Sequence, residues 1–324
     1  MKRIIIALSL LTTTAISAQE SWLTRIDDST HVSCLSIPGT HDSATGNGIY
    51  PSIGIGITQC KSIEEQWNSG IRAFDLRPDI NGKDSICIYH GPLKTRISFK
   101  EAIRSIIAKL DDEPGEFAIV IMRQERHSGN DEKRRKWSNI IGEYINSLGD
   151  KAAHFHPLLT VKELRGKILF LSRDHYGDCK KGAYISGWSH SPQGTYNASI
   201  TSYCNGEKAT LSVQDYYSPT TAEEQQEKLS SVIAHIEHSS ESSYDKWSIN
   251  HFSGYSSTLW GIDGIVTERG YMRNAEHIHN NVSATLEKKK NIGIIMIDFA
   301  GCEKRDSHTI KGKSIIKAII DSNF

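Results

Sequence analysis

The chain has 324 residues, with 38 basic side chains matched by 38 acidic ones. That balance excludes a nucleic-acid binder, whose phosphate contacts need a basic excess. The length fits two domains or one α/β barrel, and no composition break or internal repeat marks a second domain.

Residues 1–18 read MKRIIIALSLLTTTAISA: Lys2 and Arg3, an apolar stretch from Ile4 to Leu11, then small residues. This is the layout of a secretory signal peptide, with cleavage expected near Ala18. The stretch is too short to span a bilayer, and no later segment reaches 18 uninterrupted apolar residues. The expectation is a soluble mature protein, residues 19–324, secreted or periplasmic. Without Lys2 and Arg3 it carries two more acidic than basic groups. The six cysteines, at 34, 60, 87, 179, 204 and 302, all fall in that part, where disulfides are allowed. Cys179 and Cys204 flank a Gly, Ser and Tyr-rich stretch and are placed to close it. Cys34 and Cys87 lie in apolar runs and read as buried thiols. None has CxxC spacing, which argues against a zinc site.

Along the mature chain, eight short β-rich runs are predicted, at 32–37, 71–77, 85–90, 117–123, 167–173, 210–217, 247–252 and 291–299. Helical periodicity separates them at 99–111, 131–148, 221–237, 275–290 and 312–321. The clearest helix, 131–148, has an apolar stripe of Trp137, Ile140, Ile141, Tyr144, Ile145 and Leu148. Continuous apolar strands alternating with amphipathic helices describe a parallel sheet buried on both faces. Eight of them predict a single irregular (β/α)8 barrel of the TIM type.

The residues that end these runs carry the functional signal. In chain order they are His41 and Asp42, Asp75 and Arg77, His90, Arg123 and Glu125, Arg173, Asp215 and Tyr217, and Asp298. In a parallel barrel such ends converge on the face where chemistry is done. Two imidazoles, each near a carboxylate, form a general acid-base pair suited to neutral pH. Arg77 between them is the planar cation that neutralises a phosphate as charge builds in the transition state. Carboxylates would fix tautomer and orientation. This is a device for cleaving a phosphodiester with a neighbouring hydroxyl. Other histidines, such as His154, His156, His235, His238, His277 and His279, read as surface residues.

"LSIPGTHDSAT", "GIRAFDLRP" and "IYHG" together resemble the X region of the phosphatidylinositol-specific phospholipases C, with the spacing of the secreted bacterial enzymes. "IMRQE", "LSR", "VQDYY" and "IDF" follow in the family's order. The resemblance implies an irregular (β/α) barrel that cleaves phosphatidylinositol without water in the first step. It implies that His41 deprotonates the inositol 2-hydroxyl, which attacks phosphorus, and that His90 protonates the departing diacylglycerol oxygen. Diacylglycerol and inositol 1,2-cyclic phosphate would result, followed by slow hydrolysis of the cyclic product. Asp298 would orient His41, Asp42 would support His90, Asp75 would hold Arg77, and Arg77 would contact the nonbridging phosphate oxygens. Arg123, Glu125, Arg173, Asp215 and Tyr217 match head-group positions; bacterial relatives often carry lysine where Arg123 stands, which keeps the charge and changes the donor geometry.

Eukaryotic relatives bind calcium there and have an acidic side chain at the position of Arg77. A guanidinium repels that ion, so no metal and no other cofactor is expected. The partner expected is phosphatidylinositol in a membrane, with glycosylphosphatidylinositol-anchored proteins as a second substrate class, and the protein is expected to be a monomer. A membrane-facing rim is predicted from Ile49, Tyr50, Ile53 and Ile55 and from Leu259, Trp260 and Ile262, apolar groups in glycine-rich settings. Two other readings stand beside this one. A metal-dependent glycerophosphodiesterase-like barrel would need a cluster of acidic ligands, which Arg77 opposes. A non-catalytic extracellular lipid- or glycan-binding module would have no use for paired proton-transfer groups.

Overall fold

The computed structural model of the protein describes residues 21–52, 55–81, 85–126, 131–189, 193–241, 243–256 and 268–324. Its strands are β1 (Ser36–Thr40), β2 (Ile49–Tyr50), β3 (Ala73–Leu76), β4 (Pro78–Ile80), β5 (Ile86–His90), β6 (Leu93–Ser98) and β7 (Ala118–Met122). They continue with β8 (Ile168–Ser172), β9 (Ala183–Ser186), β10 (Thr195–Ser202), β11 (Lys208–Gln214), β12 (Lys246–His251) and β13 (Gly293–Ile297). The helices are α1 (Ile63–Asn68), α2 (Phe99–Asp112), α3 (Asp131–Ser147), α4 (Val161–Leu164), α5 (Ala222–Ser240), α6 (Glu268–Leu286) and α7 (Gly312–Asp321).

Nine strands close into a barrel in the order β1-β13-β12-β11-β10-β9-β8-β7-β3, with β3 returning to β1. All of its pairings are parallel except those of β10, which runs antiparallel to β9 and β11. This is the expected irregular TIM-type α/β barrel, with two corrections. The run at 85–90 is not a barrel strand: β5 belongs to a separate antiparallel sheet ordered β2-β6-β5-β4. Strands β9 and β10 were not anticipated, because their burial alternates along the chain and leaves no continuous apolar run.

Burial accounts for the rest. Strands β1, β7, β8 and β13 are buried at every position, as the near-continuous apolar runs require. Helix α2 starts at a capping box of Ser98 and Glu101 and buries Phe99, Ala102, Ile103, Ile106 and Leu110, one face of a 3.6-residue period. Helix α3 buries Trp137, Ile141 and Ile145 from the predicted stripe. Strand β1 fits between its neighbours because Gly39 has no side chain: a Cβ there would lie 2.8 Å from Met296 Sδ and 2.9 Å from Ala73 Cβ. His235 and His279 are corrections to the surface reading, since both are fully buried. His235 sits between Ser212 and Ser239, and His279 donates from Nδ1 to the Ile310 carbonyl. Burial pushes them down to about 3 and about 4, so both stay neutral in the core.

The cysteines pair differently from the expectation. Cys60 and Cys302 form a disulfide across a separation of 242 residues, while Cys179 and Cys204 are free. The reason is spatial: Cys60 follows the turn after β1 and Cys302 the turn after β13, and the register Thr40↔Ile297 sets those strand ends side by side. Cys34 and Cys87 are free thiols, half-buried and buried respectively. Closing so long a loop constrains the unfolded chain, with a ceiling of about 5 kcal/mol. Reduction, or Cys60→Ser, is therefore expected to lower the melting temperature by roughly 5–10 °C. An unchanged calorimetric melting curve under reducing agent would show that the cross-link contributes nothing.

Candidate active site

The turn after β1 builds the first half of the site. The His41 amide continues the strand pairing to the Ile297 carbonyl. Asp42 then adopts the left-handed conformation, at φ 45° and ψ 48°, which aspartate tolerates better than most residues. Gln59 clamps the corner, donating from its amide to the carbonyls of both His41 and Ile297 at 2.8 Å. Because Thr40 pairs with Ile297, the next residues meet: His41 Nδ1 lies 2.9 Å from Asp298 Oδ1. The second Asp298 oxygen accepts the Gly254 amide at 3.1 Å.

Strand β3 delivers Asp75 and, just past its end, Arg77. The guanidinium lies 2.9 Å from Asp42 Oδ1, 3.2 Å from Asp75 Oδ2 and 3.6 Å from Glu125 Oε2. Its Nη2 donates to His41 Nε2 at 2.7 Å. Arginine has only donors, so this contact assigns the tautomer. His41 Nε2 is the unprotonated acceptor, Nδ1 carries the ring proton, and that proton points at Asp298. Burial pushes His41 down to about 4 and works to raise Asp298, against which the Gly254 amide favours the ionised form. Both Asp298 oxygens accept hydrogen bonds, the pattern of a carboxylate. The same burial makes that carboxylate a strong base, placed to stabilise an imidazolium when His41 takes up a second proton. At Asp75 burial works to raise the carboxyl, and Arg77 with His41 overrides it, holding the group below the usual range.

The second imidazole comes from the side sheet. His90, at the end of β5, donates from Nδ1 to the Gly56 carbonyl at 2.6 Å. A carbonyl only accepts, so Nδ1 always holds a proton and Nε2 is the nitrogen that gains and loses one. That Nε2 lies 3.4 Å from Asp42 Oδ2 and 3.2 Å from the Tyr271 hydroxyl. Asp42 thus faces Arg77 with one oxygen and both imidazoles with the other, His41 Nε2 at 3.2 Å and His90 Nε2 at 3.4 Å. Both rings keep a proton on Nδ1 and turn Nε2 to the site: His41 Nε2, bare, can take up a proton, and His90 Nε2 can deliver one when that ring is doubly protonated.

These groups line one cavity of about 540 Å³. Its walls include His41, Asp75, Arg77, His90, Arg123, Glu125, Arg173, Asp215 and Tyr217, so nine of the eleven predicted catalytic and head-group residues meet there. Asp42 and Asp298 stand behind the lining. Glu125 bonds Arg123 at 3.0 Å and accepts the Gly91 amide at 2.7 Å. Arg173 stacks on the Trp188 ring at 4.4 Å, and burial, reinforced by Arg123, lowers it to about 10. Trp188 in turn donates to Asp215 at 2.9 Å.

The predicted rim fares differently. Ile49 is buried, because the alternation of β2 turns it inward and leaves Tyr50 outward at 70% exposure. Ile55 lines the cavity. Ile53, Leu259, Trp260 and Ile262 lie outside the described residues. Three polar or aromatic cavity residues were missed: Trp188, His251 and Tyr271. His251 ends β12 and could have been found by the strand-end rule applied to the other runs. Trp188 follows β9, a strand with no apolar signature, and Tyr271 comes from α6, where nothing local marks it.

Comparison with known proteins joins these observations. Residues 35–174 match the family model "Phosphatidylinositol-specific phospholipase C, X domain". The 1-phosphatidylinositol phosphodiesterase of Listeria monocytogenes is 28% identical over 291 residues, 86% of this chain and 81% of the relative. That of Staphylococcus aureus strain Newman is 26% identical over 318 residues, 94% of each. Among solved structures, the phosphatidylinositol-specific phospholipase C of Listeria monocytogenes superposes with a TM-score of 0.67 at 25% identity, covering 94% of this chain and 99% of that one. A Staphylococcus aureus structure gives 0.73 at 23% identity, covering 94% and 98%. The site is that of a barrel enzyme of the phospholipase C type, and residues 35–174 are similar to the X domain of the phosphatidylinositol-specific phospholipases C.

The tautomer assignment is open to direct measurement. Nitrogen-15 NMR across the acid range should find His41 neutral, with Nδ1 protonated, down to about pH 4. A His41 ring that gains its second proton at the ordinary imidazole value near 6.5 would contradict the burial argument.

Proposed function

We propose that the protein cleaves phosphatidylinositol to diacylglycerol and inositol 1,2-cyclic phosphate, with His41 as base, His90 as acid and Arg77 as the phosphate-binding cation. The observation that carries this reading is one cavity lined by the Arg77 guanidinium and by two imidazoles whose Nδ1 atoms are both tied down, with Arg77 on His41 Nε2 and Asp42 linking Arg77 to His90. The substrate phosphate takes guanidinium N–H groups, which releases His41 Nε2 from Arg77. Nε2 then removes the proton of the inositol 2-hydroxyl, whose oxygen attacks phosphorus. The bond from phosphorus to the glycerol oxygen breaks, and that oxygen takes the His90 Nε2 proton. Asp298 stabilises the imidazolium formed at His41. Arg123, Glu125, Arg173, Asp215 and Tyr217 surround the inositol ring with fixed donors, acceptors and an aromatic face.

The reading is metal-independent. Among the described residues one trio has metal-ligand spacing, His41, Asp42 and Asp75, with ligand atoms within 4.8 Å of one another. Arg77 already contacts all three members, so a cation there would have to displace a buried guanidinium. The curated relatives bear the name 1-phosphatidylinositol phosphodiesterase, which supports the substrate class. Glycosylphosphatidylinositol anchors share that head group and form the second substrate class. We also read the chain as an exported monomer acting at a membrane surface, from its amino-terminal pattern and from the outward Tyr50.

Phosphorus NMR of the protein with phosphatidylinositol vesicles in EDTA tests the central claim. A cyclic phosphate should appear and then decay slowly, and His41→Ala or His90→Ala should lower its rate by about 10²–10⁴. Activity lost in EDTA and restored by calcium, or inositol 1-phosphate formed without a cyclic precursor, would overturn it. For the rim, Tyr50→Ala should weaken vesicle binding while sparing a soluble inositol phosphodiester; equal losses on both would argue against an interfacial role.

A further inference from the structure

The acid, His90, has one fixed nitrogen and one shared one. Nδ1 is held by Gly56, but Nε2 has two protein neighbours, Asp42 Oδ2 at 3.4 Å and the Tyr271 hydroxyl at 3.2 Å. Both distances are at or beyond the long end of an N–H···O bond, so neither neighbour captures the proton outright. Asp42 Oδ2 is buried and has no hydrogen bond; its other neighbour, His41 Nε2 at 3.2 Å, is the bare nitrogen held by Arg77 and offers it no proton, so left to itself Oδ2 would draw the His90 proton into a charge-assisted bond. Tyr271 is the competing group. Its hydroxyl is fixed in turn by the Tyr217 hydroxyl at 2.9 Å, and its ring, 1% exposed, lies 5.8 Å from the His90 ring.

Local structure explains why Tyr271 reaches this place. It stands in the first turn of α6, where the preceding Gly270 lets the Tyr255 ring lie against the helix: a Cβ there would fall 2.2 Å from that ring. Tyr255 then packs edge-on against Tyr271 at 5.0 Å. The phenol is held by packing on one side and by Tyr217 at its tip, and it lines the cavity beside His90.

We propose that Tyr271 is a positioning residue for the acid: its hydroxyl keeps the His90 Nε2 proton facing the cavity, toward the leaving oxygen, instead of letting it turn into the Asp42 carboxylate. Tyr271 gives up no proton of its own. With His90 doubly protonated, Tyr271 accepts from Nε2–H and donates to Tyr217, and when the glycerol oxygen departs it is the Nε2 proton that moves. Since Tyr217 lies among the head-group residues, the relay also links occupation of the ring site to the aim of the acid. This inference rests on the phosphodiester-cleaving reading above and adds a residue to it.

The test exploits the leaving group. An alkoxide leaving from phosphatidylinositol needs a proton, whereas a 4-nitrophenolate leaving from an inositol 1-phosphate ester does not. Tyr271→Phe keeps the ring and its packing and removes only the hydroxyl. Its kcat on phosphatidylinositol in detergent micelles should fall roughly 10- to 100-fold, part of what full general-acid catalysis supplies. On the nitrophenyl ester it should change by less than about threefold, and His90→Ala should show the same split with a larger loss on the lipid. Equal losses on the two substrates, as a structural role would give, would overturn the proposal, and so would an undiminished rate on the lipid. If wild type turns over both substrates and His90→Ala shows the split but Tyr271→Phe does not, the Tyr271 inference fails alone. If wild type turns over neither, the functional reading falls and takes the inference with it.

Discussion

The Arg77 guanidinium is buried among Asp42, Asp75 and Glu125 and donates to His41, and a charge removed from water in this way persists only where partners surround it. The same contacts order the chemistry. By donating to Nε2, the cation leaves Nδ1 as the protonated nitrogen of His41 and so commits Asp298 to the other side of the ring. By holding one oxygen of Asp42, it turns the other toward His90. One side chain therefore fixes the tautomer of one imidazole and holds the carboxylate that faces the other. Taking it away would leave neighbouring carboxylates with no counter-charge in a region from which solvent is largely excluded.

The barrel supplies what such a cluster needs, which is convergence of residues far apart in the chain. His41 and Asp298 are 257 positions apart and touch because β1 and β13 are register partners. The proposed base thus sits on the closed barrel itself, while the proposed acid comes from the separate β2-β6-β5-β4 sheet. The two halves of the proton transfer rest on different structural units, joined through Asp42 and Arg77. The head-group residues come from a third direction, just beyond the ends of β7, β8 and β11.

Much of this was legible in the chain before any coordinates. Strands buried on both faces announce themselves as apolar runs, and polar residues at their ends must gather on one face of a parallel barrel. His41, Arg77 and Arg173 were found in this way. The limits have equally plain causes. Strands β9 and β10 alternate in burial, and Trp188, which follows β9, was lost with them. The 85–90 run has the apolar character of a barrel strand, yet β5 pairs with β4 and β6, a choice that tertiary context makes and composition does not. Ile49 and Tyr50 are adjacent and equally apolar to the eye, but a two-residue strand sends them to opposite faces. His235 and His279 look polar in the chain and are core residues because serine hydroxyls and a carbonyl receive them. Disulfide pairing was opaque because it depends on which strand ends meet.

The Cys60–Cys302 link divides the chain into a covalent ring, 60–302, and two free arms. Arg77, His90 and Asp298 belong to the ring. His41 does not: with β1 it rides on the amino-terminal arm. Since β1 is the strand that closes the barrel between β13 and β3, peeling that arm away would open the circle and carry off the base, while the ring stayed tethered with the acid and the cation aboard. Under mechanical load or partial unfolding, the machinery would come apart along the border that this one bond draws.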